Sequence, residues 1–358
     1  MLRNSLIYTA SSLVSAAVPF FLLPILTRYL SPAEYGELAM FNILIAALPA
    51  FIGLSVHGAA VRRFFEQKTS LTLLARFNGN CFIIFILTVI FSLGLALIVD
   101  NFIAHFLLIK KEWIYLAILV ASFNFVFNFR LGQWQVRDKV KVYGLFQMFN
   151  AFSIFVLCIA FIVGLDMGAE GRVYSLLITS FIMASVTFWL LYKDKLLSFQ
   201  YYRNDTVYAL NYGIPLIRHV VGGFLLLSID RLVINKELGL EMTGIYMVAV
   251  SLGAILNVIF NSINKAYTPW LFNQLRKDDQ NAKINIVKGT YFYFFFLMIL
   301  GGASFFAAPP LLKLIVGERF YQAANVLPII LLGQIFLGMY FMVTNYIFYI
   351  KKTNTYLL

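Results

Sequence analysis

Apolar residues run along this chain in long blocks, separated by short stretches that carry most of the charge. A helix crossing the hydrocarbon core of a bilayer needs about 20 consecutive, mostly apolar residues. Runs that meet this requirement lie near 5–27, 37–57, 79–99, 113–131, 143–164, 173–192, 207–229, 244–267, 287–308 and 324–350. The gaps hold turn residues such as Ser31-Pro32 and Lys277-Asp278-Asp279. The pattern predicts an all-α, polytopic membrane protein with about ten spans.

Composition removes the soluble alternative. Of 358 residues, 61% are hydrophobic and 12% charged, whereas a soluble domain carries about 25% charged residues. Nor does one soluble core absorb so much apolar sequence, since cores stop growing near ~250–300 residues. The net charge of +12 would point to nucleic acid in a soluble protein. Here the basic residues sit between apolar runs, where they set topology, and no nucleic-acid partner is expected.

Counting them orients the chain. With the N-terminus cytoplasmic, the opposite side receives eight Lys and Arg: Arg28, Lys110, Lys111, Arg172, Arg231, Lys236, Lys313 and Arg319. Arg218 falls inside a run, and the remaining 19 of the 28 lie on the cytoplasmic side, with both termini. A wrong span count would scramble this asymmetry. Met1 to Ser5 lead into the first run without a small-residue cleavage pattern, so that run reads as a retained span. Cys81 and Cys158 lie within apolar runs and read as small hydrophobes rather than a disulfide pair.

A short internal repeat follows spans 1 and 7. Leu30-Ser31-Pro32-Ala33-Glu34-Tyr35-Gly36 aligns with Leu238-Gly239-Leu240-Glu241-Met242-Thr243-Gly244 at an offset of 208 residues. That offset contains six spans, and an even number gives both copies the same orientation, as in parallel-repeat transporters. The expected organisation is a six-helix bundle over 1–200 and a second bundle over 201–358 with four helices. The second bundle would then be incomplete by about two, in a shortened product or a fragment whose tail, 351–358, opens a further connection.

The stretch from Leu26 to Gly36 resembles the first periplasmic turn of polysaccharide biosynthesis proteins, the O-antigen-type flippases of lipid-linked oligosaccharides. These belong to the multidrug/oligosaccharidyl-lipid/polysaccharide exporter superfamily. Gly58-Ala59-Ala60-Val61-Arg62-Arg63-Phe64 resembles their connection between spans 2 and 3. Ser228-Ile229-Asp230-Arg231-Leu232-Val233-Ile234, with Gly244-Ile245-Tyr246, resembles the turn between spans 7 and 8. The resemblance implies two bundles around a central cavity, alternating access, and an inner-membrane location. Its implied substrate is an undecaprenyl-diphosphate-linked sugar repeat unit, destined for O-antigen, lipopolysaccharide or another surface polysaccharide. A polysaccharide polymerase and a chain-length protein are the implied partners, besides membrane lipids.

Candidate residues follow from polarity inside the spans. An Arg at the bilayer centre costs about 2.5–3.5 kcal/mol on insertion scales and so faces a cavity or a partner. Arg218 lies midway along span 7, and Asn211, Pro215 and Arg218 share one helical face by their spacing; His219 is adjacent. Pro215 frees the carbonyl of Asn211 and is expected to bend the helix. This face is read as cavity lining, with Arg218 meeting the diphosphate of the carrier, since a guanidinium fork suits phosphate oxygens. Asn257, Asn261 and Asn264 form a second stripe in span 8, read equally as cavity lining or as glue between helices. Asp230 and Arg231 close span 7 as a gate latch or a structural ion pair. Arg28 adds positive potential at the cavity mouth. Arg62 and Arg63 form a cytoplasmic basic patch that attracts anionic substrate or lipid head groups.

No phosphate-binding loop, dinucleotide fingerprint or His-Glu-x-x-His metal motif occurs in the sequence. Neither cofactor nor metal is expected, and the chain reads as a transporter rather than an enzyme. A cation-coupled multidrug exporter on the same architecture is the alternative. It calls for buried carboxylates, whereas the most central charge here is Arg218. A membrane polymerase or glycosyltransferase is the third reading, and the short connections argue against it.

Overall fold

The computed structural model describes residues 2–66, 70–277 and 279–350. Among them every long element is a helix: α1 Leu2–Tyr29, α2 Pro32–Ala47, α3 Val56–Glu66, α4 Leu71–Leu107, α5 Lys111–Val136, α6 Val140–Ile159, α7 Gly168–Lys193, α8 Arg203–Arg276, α9 Gln280–Ile315 and α10 Leu327–Ile350. Lys68, Lys351 and Lys352, counted above in the charge balance, lie outside the described residues, as do Asp278 and the tail 351–358.

The chain is a multi-pass, all-α membrane protein. Among the described residues, seven helices are long and apolar enough to cross a bilayer, eight when α2 and α3 are taken as one broken span. The 74 residues of α8 rise ~1.5 Å each, far more than one bilayer needs. This element therefore carries both the seventh and the eighth apolar run, and α1 carries the first.

Local chemistry explains the boundaries. Ser31 caps α2 in a reciprocal box. Its Oγ accepts from the Glu34 amide at 3.2 Å, and Glu34 Oε2 accepts from the Ser31 amide at 2.8 Å. Pro32 occupies the first turn, where a missing N–H costs nothing. The sequence pattern treats 37–57 as one straight run, but the structure breaks it. The chain tightens at Leu48–Ala50 and passes through left-handed Gly53, Leu54 and Ser55. It restarts as α3 at an angle of 42°. Pro49 interrupts the helical ladder, and Thr88 Oγ1 accepts from the freed Gly53 amide at 2.9 Å. Inside α8 the non-helical residue is Gly239 (φ 81°, ψ −178°), a conformation open to glycine alone.

By contacts the chain divides into two compact units. The first comprises the residues up to Val18 with Tyr29–Gly244; the second comprises Pro19–Arg28 with the chain from Ile245 onward. Within the first, α5 is the central helix: 67% of its apolar window is buried, against 17% for α4 and α6. Aromatic packing fills its surroundings. Phe85 stacks on Phe125 with centroids 4.5 Å apart, and Phe82 meets Phe129 edge-on at 5.0 Å. In the second unit, Phe260, Leu297 and Ile335 form the buried cluster joining α8, α9 and α10. The exposed Leu, Ile and Phe side chains of α4, α6 and α9 are what a lipid-facing surface carries.

Candidate functional site

The residues predicted to form a polar face lie on α8. Asn211, Pro215, Arg218 and His219 are all exposed. The opposite side of the same segment is packed: a Cβ on Gly213 would lie 2.1 Å from the Leu54 carbonyl oxygen, so α8 presses directly on the break between α2 and α3. The helix continues through Pro215, and its break falls at Gly239 instead. Arg218 has no hydrogen-bonding or ion-pair partner among the described residues. It is a permanent cation, held on an open helical face within the length of a span.

The two repeated turns touch each other. A Cβ on Gly36 would lie 2.0 Å from the Leu240 carbonyl oxygen, and one on Gly244 would lie 1.9 Å from the Pro32 carbonyl oxygen. At the offset of 208, Gly36 corresponds to Gly244 and Pro32 to Leu240. The contact is therefore reciprocal, the arrangement a local two-fold produces. Only glycine permits such close backbone approach at both positions.

The asparagine stripe is bonded to a neighbouring helix. Asn257 donates to Gln334 Oε1 of α10 at 3.3 Å, and Asn261 donates back to the Asn257 carbonyl and side-chain oxygens at 2.9 and 2.7 Å. Asn264 Oδ1 accepts from Asn345 Nδ2 at 2.7 Å, and Thr268 donates to Asn345 Oδ1 at 3.2 Å. Asn257 and Asn264 thus spend side-chain groups on α10.

Arg62 and Arg63 are engaged rather than free. Arg62 Nε pairs with Glu66 at 2.6 Å and its guanidinium lies 5.5 Å from the Tyr212 ring. Arg63 stacks over Tyr208 at 4.9 Å and approaches Asp205 at 3.9 Å. Arg76 of α4 binds Asp205 more tightly, at 2.9 Å, and lies 4.0 Å from the Tyr202 ring. Tyr208 donates to Glu66. Asp205, only 3% exposed, thus ties the start of α8 to α3 and α4. Nothing in spacing along the chain marks this carboxylate, because its partners lie 129 and 142 residues away.

The segment leading into α8 is sewn to α4 in the same way. Asn78 Nδ2 donates to the Leu196 carbonyl, and Asn80 Nδ2 to that of Gln200, each at 2.9 Å. Asn80 Oδ1 accepts from the Tyr202 amide and the Thr206 hydroxyl, each at 3.0 Å. Both asparagines are fully buried. They satisfy backbone groups that an extended segment would otherwise leave orphaned.

The sequence pattern has Asp230 and Arg231 close span 7, but in the structure they do not end a helix. Residues 232–238 contain no helix breaker, and α8 runs on to Gly239. Asp230 Oδ1 accepts from the Arg231 amide at 2.9 Å, while the Arg231 guanidinium donates to the Leu227 carbonyl one turn back. Arg28 occupies the last turn of α1 and belongs to the second unit.

Residues 1–274 match the family model described as polysaccharide biosynthesis protein. The chain belongs to that family. It is 25% identical to an Lsg locus protein of Haemophilus influenzae over 98% of this chain and 86% of the relative. It is also 25% identical to an uncharacterized membrane protein of the same organism, over 99% and 85%. Among solved structures it is similar to an inward-facing multidrug resistance MATE family transporter of the MOP superfamily. That match has a TM-score of 0.60 at 16% identity and covers 94% of this chain and 81% of the other. The Vibrio cholerae MATE transporter VcmN in its bent form matches with a TM-score of 0.51 at 15% identity, over 98% and 82%. The polysaccharide biosynthesis family member described here therefore has the MATE-like polytopic fold.

Proposed function

We propose that this protein is a flippase. It moves undecaprenyl-diphosphate-linked oligosaccharide repeat units across the inner membrane by alternating access, for O-antigen or other surface polysaccharide assembly. The observation that carries the reading is Arg218, an unpaired guanidinium on the open polar face of α8, in a chain of the polysaccharide biosynthesis family. A cation that neither burial nor a neighbour neutralises suits a diphosphate, and its planar fork matches phosphate oxygens. Asn211 and His219 beside it supply amide and imidazole groups for sugar hydroxyls. The reciprocal contact of Gly36 and Gly244 supports a gate on the side opposite both termini. Each glycine lies directly against the backbone of the other turn. In this reading the polymerase and chain-length proteins receive the product.

The MATE-like fold favours one second reading, a cation-coupled multidrug exporter. The two readings demand opposite charge in the cavity. Purified protein in sealed vesicles, offered a fluorescent undecaprenyl-diphosphate oligosaccharide or a cationic dye, separates them. Transfer of the lipid between leaflets that is lost in Arg218→Ala supports the flippase. Accumulation of the dye with no lipid transfer overturns it.

A further inference from the structure

Three of the eight Lys and Arg on the side poor in basic charge meet in one cleft of the second unit. Its walls come from Thr27 and Arg28 at the end of α1, Lys313 in the last turn of α9, and Gly317, Glu318 and Arg319 just beyond. The cleft has a volume of about 350 Å³. Backbone chemistry builds it. The Gly317 amide donates to Thr27 Oγ1 at 3.1 Å, and Thr27 in turn donates to the Leu23 carbonyl at 2.9 Å. A Cβ on Gly317 would lie 2.3 Å from the Thr27 carbonyl oxygen, so glycine is what lets this loop close on α1 and bring Arg319 to the cleft that holds Arg28. The Lys313 ammonium lies 5.7 Å from the Tyr321 ring centroid.

Two ordinary explanations leave the cluster unaccounted for. Cations in the last turns of α1 and α9 complement the helix dipoles, which covers Arg28 and Lys313 but not Arg319. Topology works against Lys and Arg on this side, so their gathering here runs counter to the trend. None of the three cations has an ion-pair partner among the described residues, although Glu318 lines the same cleft.

We infer that this cleft is a binding site for a phosphate or diphosphate group, carried by an anionic lipid head group or by a soluble phosphate ester. Three cations against one carboxylate leave it electropositive. The two guanidiniums offer forked donors that fit phosphate oxygens, and the ammonium adds a point charge. Arg218 is not among its lining residues, and the inference does not depend on the transport reading.

The test uses the full chain in neutral detergent with two probes, inorganic pyrophosphate and short-chain phosphatidylglycerol, and phosphatidylcholine as the uncharged-surface control. Calorimetry follows pyrophosphate, and native mass spectrometry follows lipid retention. Wild type binds at least one anionic probe over the control. Arg319→Gln and Lys313→Gln each weaken that binding about tenfold with an unchanged melting temperature, Arg319→Lys recovers part of it, and Glu318→Gln tightens it. Retention of phosphatidylglycerol alone identifies the lipid head group, and pyrophosphate alone identifies a soluble ester. The inference fails if neither probe binds above the control, or if both glutamine variants bind as tightly as wild type.

Discussion

Replacing Gly244 by alanine puts one methyl group into the contact between the repeated turns. That carbon would start 1.9 Å from the Pro32 carbonyl oxygen and 2.9 Å from the Gly36 amide nitrogen. Non-bonded heavy atoms settle at about 3.5–4.0 Å, so the turns have to part by roughly 1.5 Å. Both clashing atoms are backbone, and no side chain is there to swing aside. Overpacking of this kind costs about 1–3 kcal/mol. Should the contact belong to one state of an alternating cycle, the whole cost falls on that state and shifts the equilibrium about 5- to 150-fold toward the other. Spin labels at Ala33→Cys and Glu241→Cys, in a background lacking Cys81 and Cys158, report the separation of the turns. Wild type gives a dominant short distance, and Gly244→Ala and Gly36→Ala each enlarge a longer population. The double variant adds less than the sum of the singles, because both methyls push the same pair of turns apart. An unchanged distance distribution in both single variants would refute the gate reasoning, whatever the melting temperature does.

Other consequences are local. Removing the Asp205 carboxylate leaves Arg63 and Arg76 facing a buried site. Because their side chains keep 22% and 26% exposure, the loss falls below the ~3–5 kcal/mol of a fully buried pair, at about 1–3 kcal/mol. A cycle of Asp205→Ala, Arg76→Ala and the double variant, followed by denaturation in detergent, shows strong coupling. Strict additivity contradicts the tie. Asn264→Leu breaks the bond to Asn345 and costs about 0.6 kcal/mol, the average for interhelical polar bonds in a bilayer, while Asn211→Leu leaves stability unchanged because its face is open. Equal destabilisation by the two would contradict the separate roles assigned to them. Ser31→Ala removes the cap of α2 and lowers stability by ~1 kcal/mol, read in the same denaturation assay.

The spans were legible because a bilayer imposes one length on them and hydropathy records it directly. Their interruptions were less so. Pro49 and Gly53 lie within an apolar run, so the break between α2 and α3 is invisible to a hydropathy window. Conversely, the polar residues near 230–243 look like a loop, yet seven of them continue α8 as helix and Gly239 alone breaks it. The Arg218 face followed from spacing on one helix. The Asp205 tie and the Asn78 and Asn80 stitches did not, because they join residues more than 110 positions apart. The repeat offers an intermediate case. Sequence aligned Gly36 with Gly244, but only the fold shows that each rests on the other's turn.

The most direct test of the flippase account is the sidedness of undecaprenyl-linked oligosaccharide in cells lacking this protein, rescued by wild type or by Arg218→Ala. The account predicts that substrate collects on the cytoplasmic leaflet, that wild type clears it, and that Arg218→Ala, expressed at the same level, does not. Clearance by Arg218→Ala equal to wild type would contradict the cationic mechanism, and a leaflet distribution indifferent to the protein would contradict the function itself.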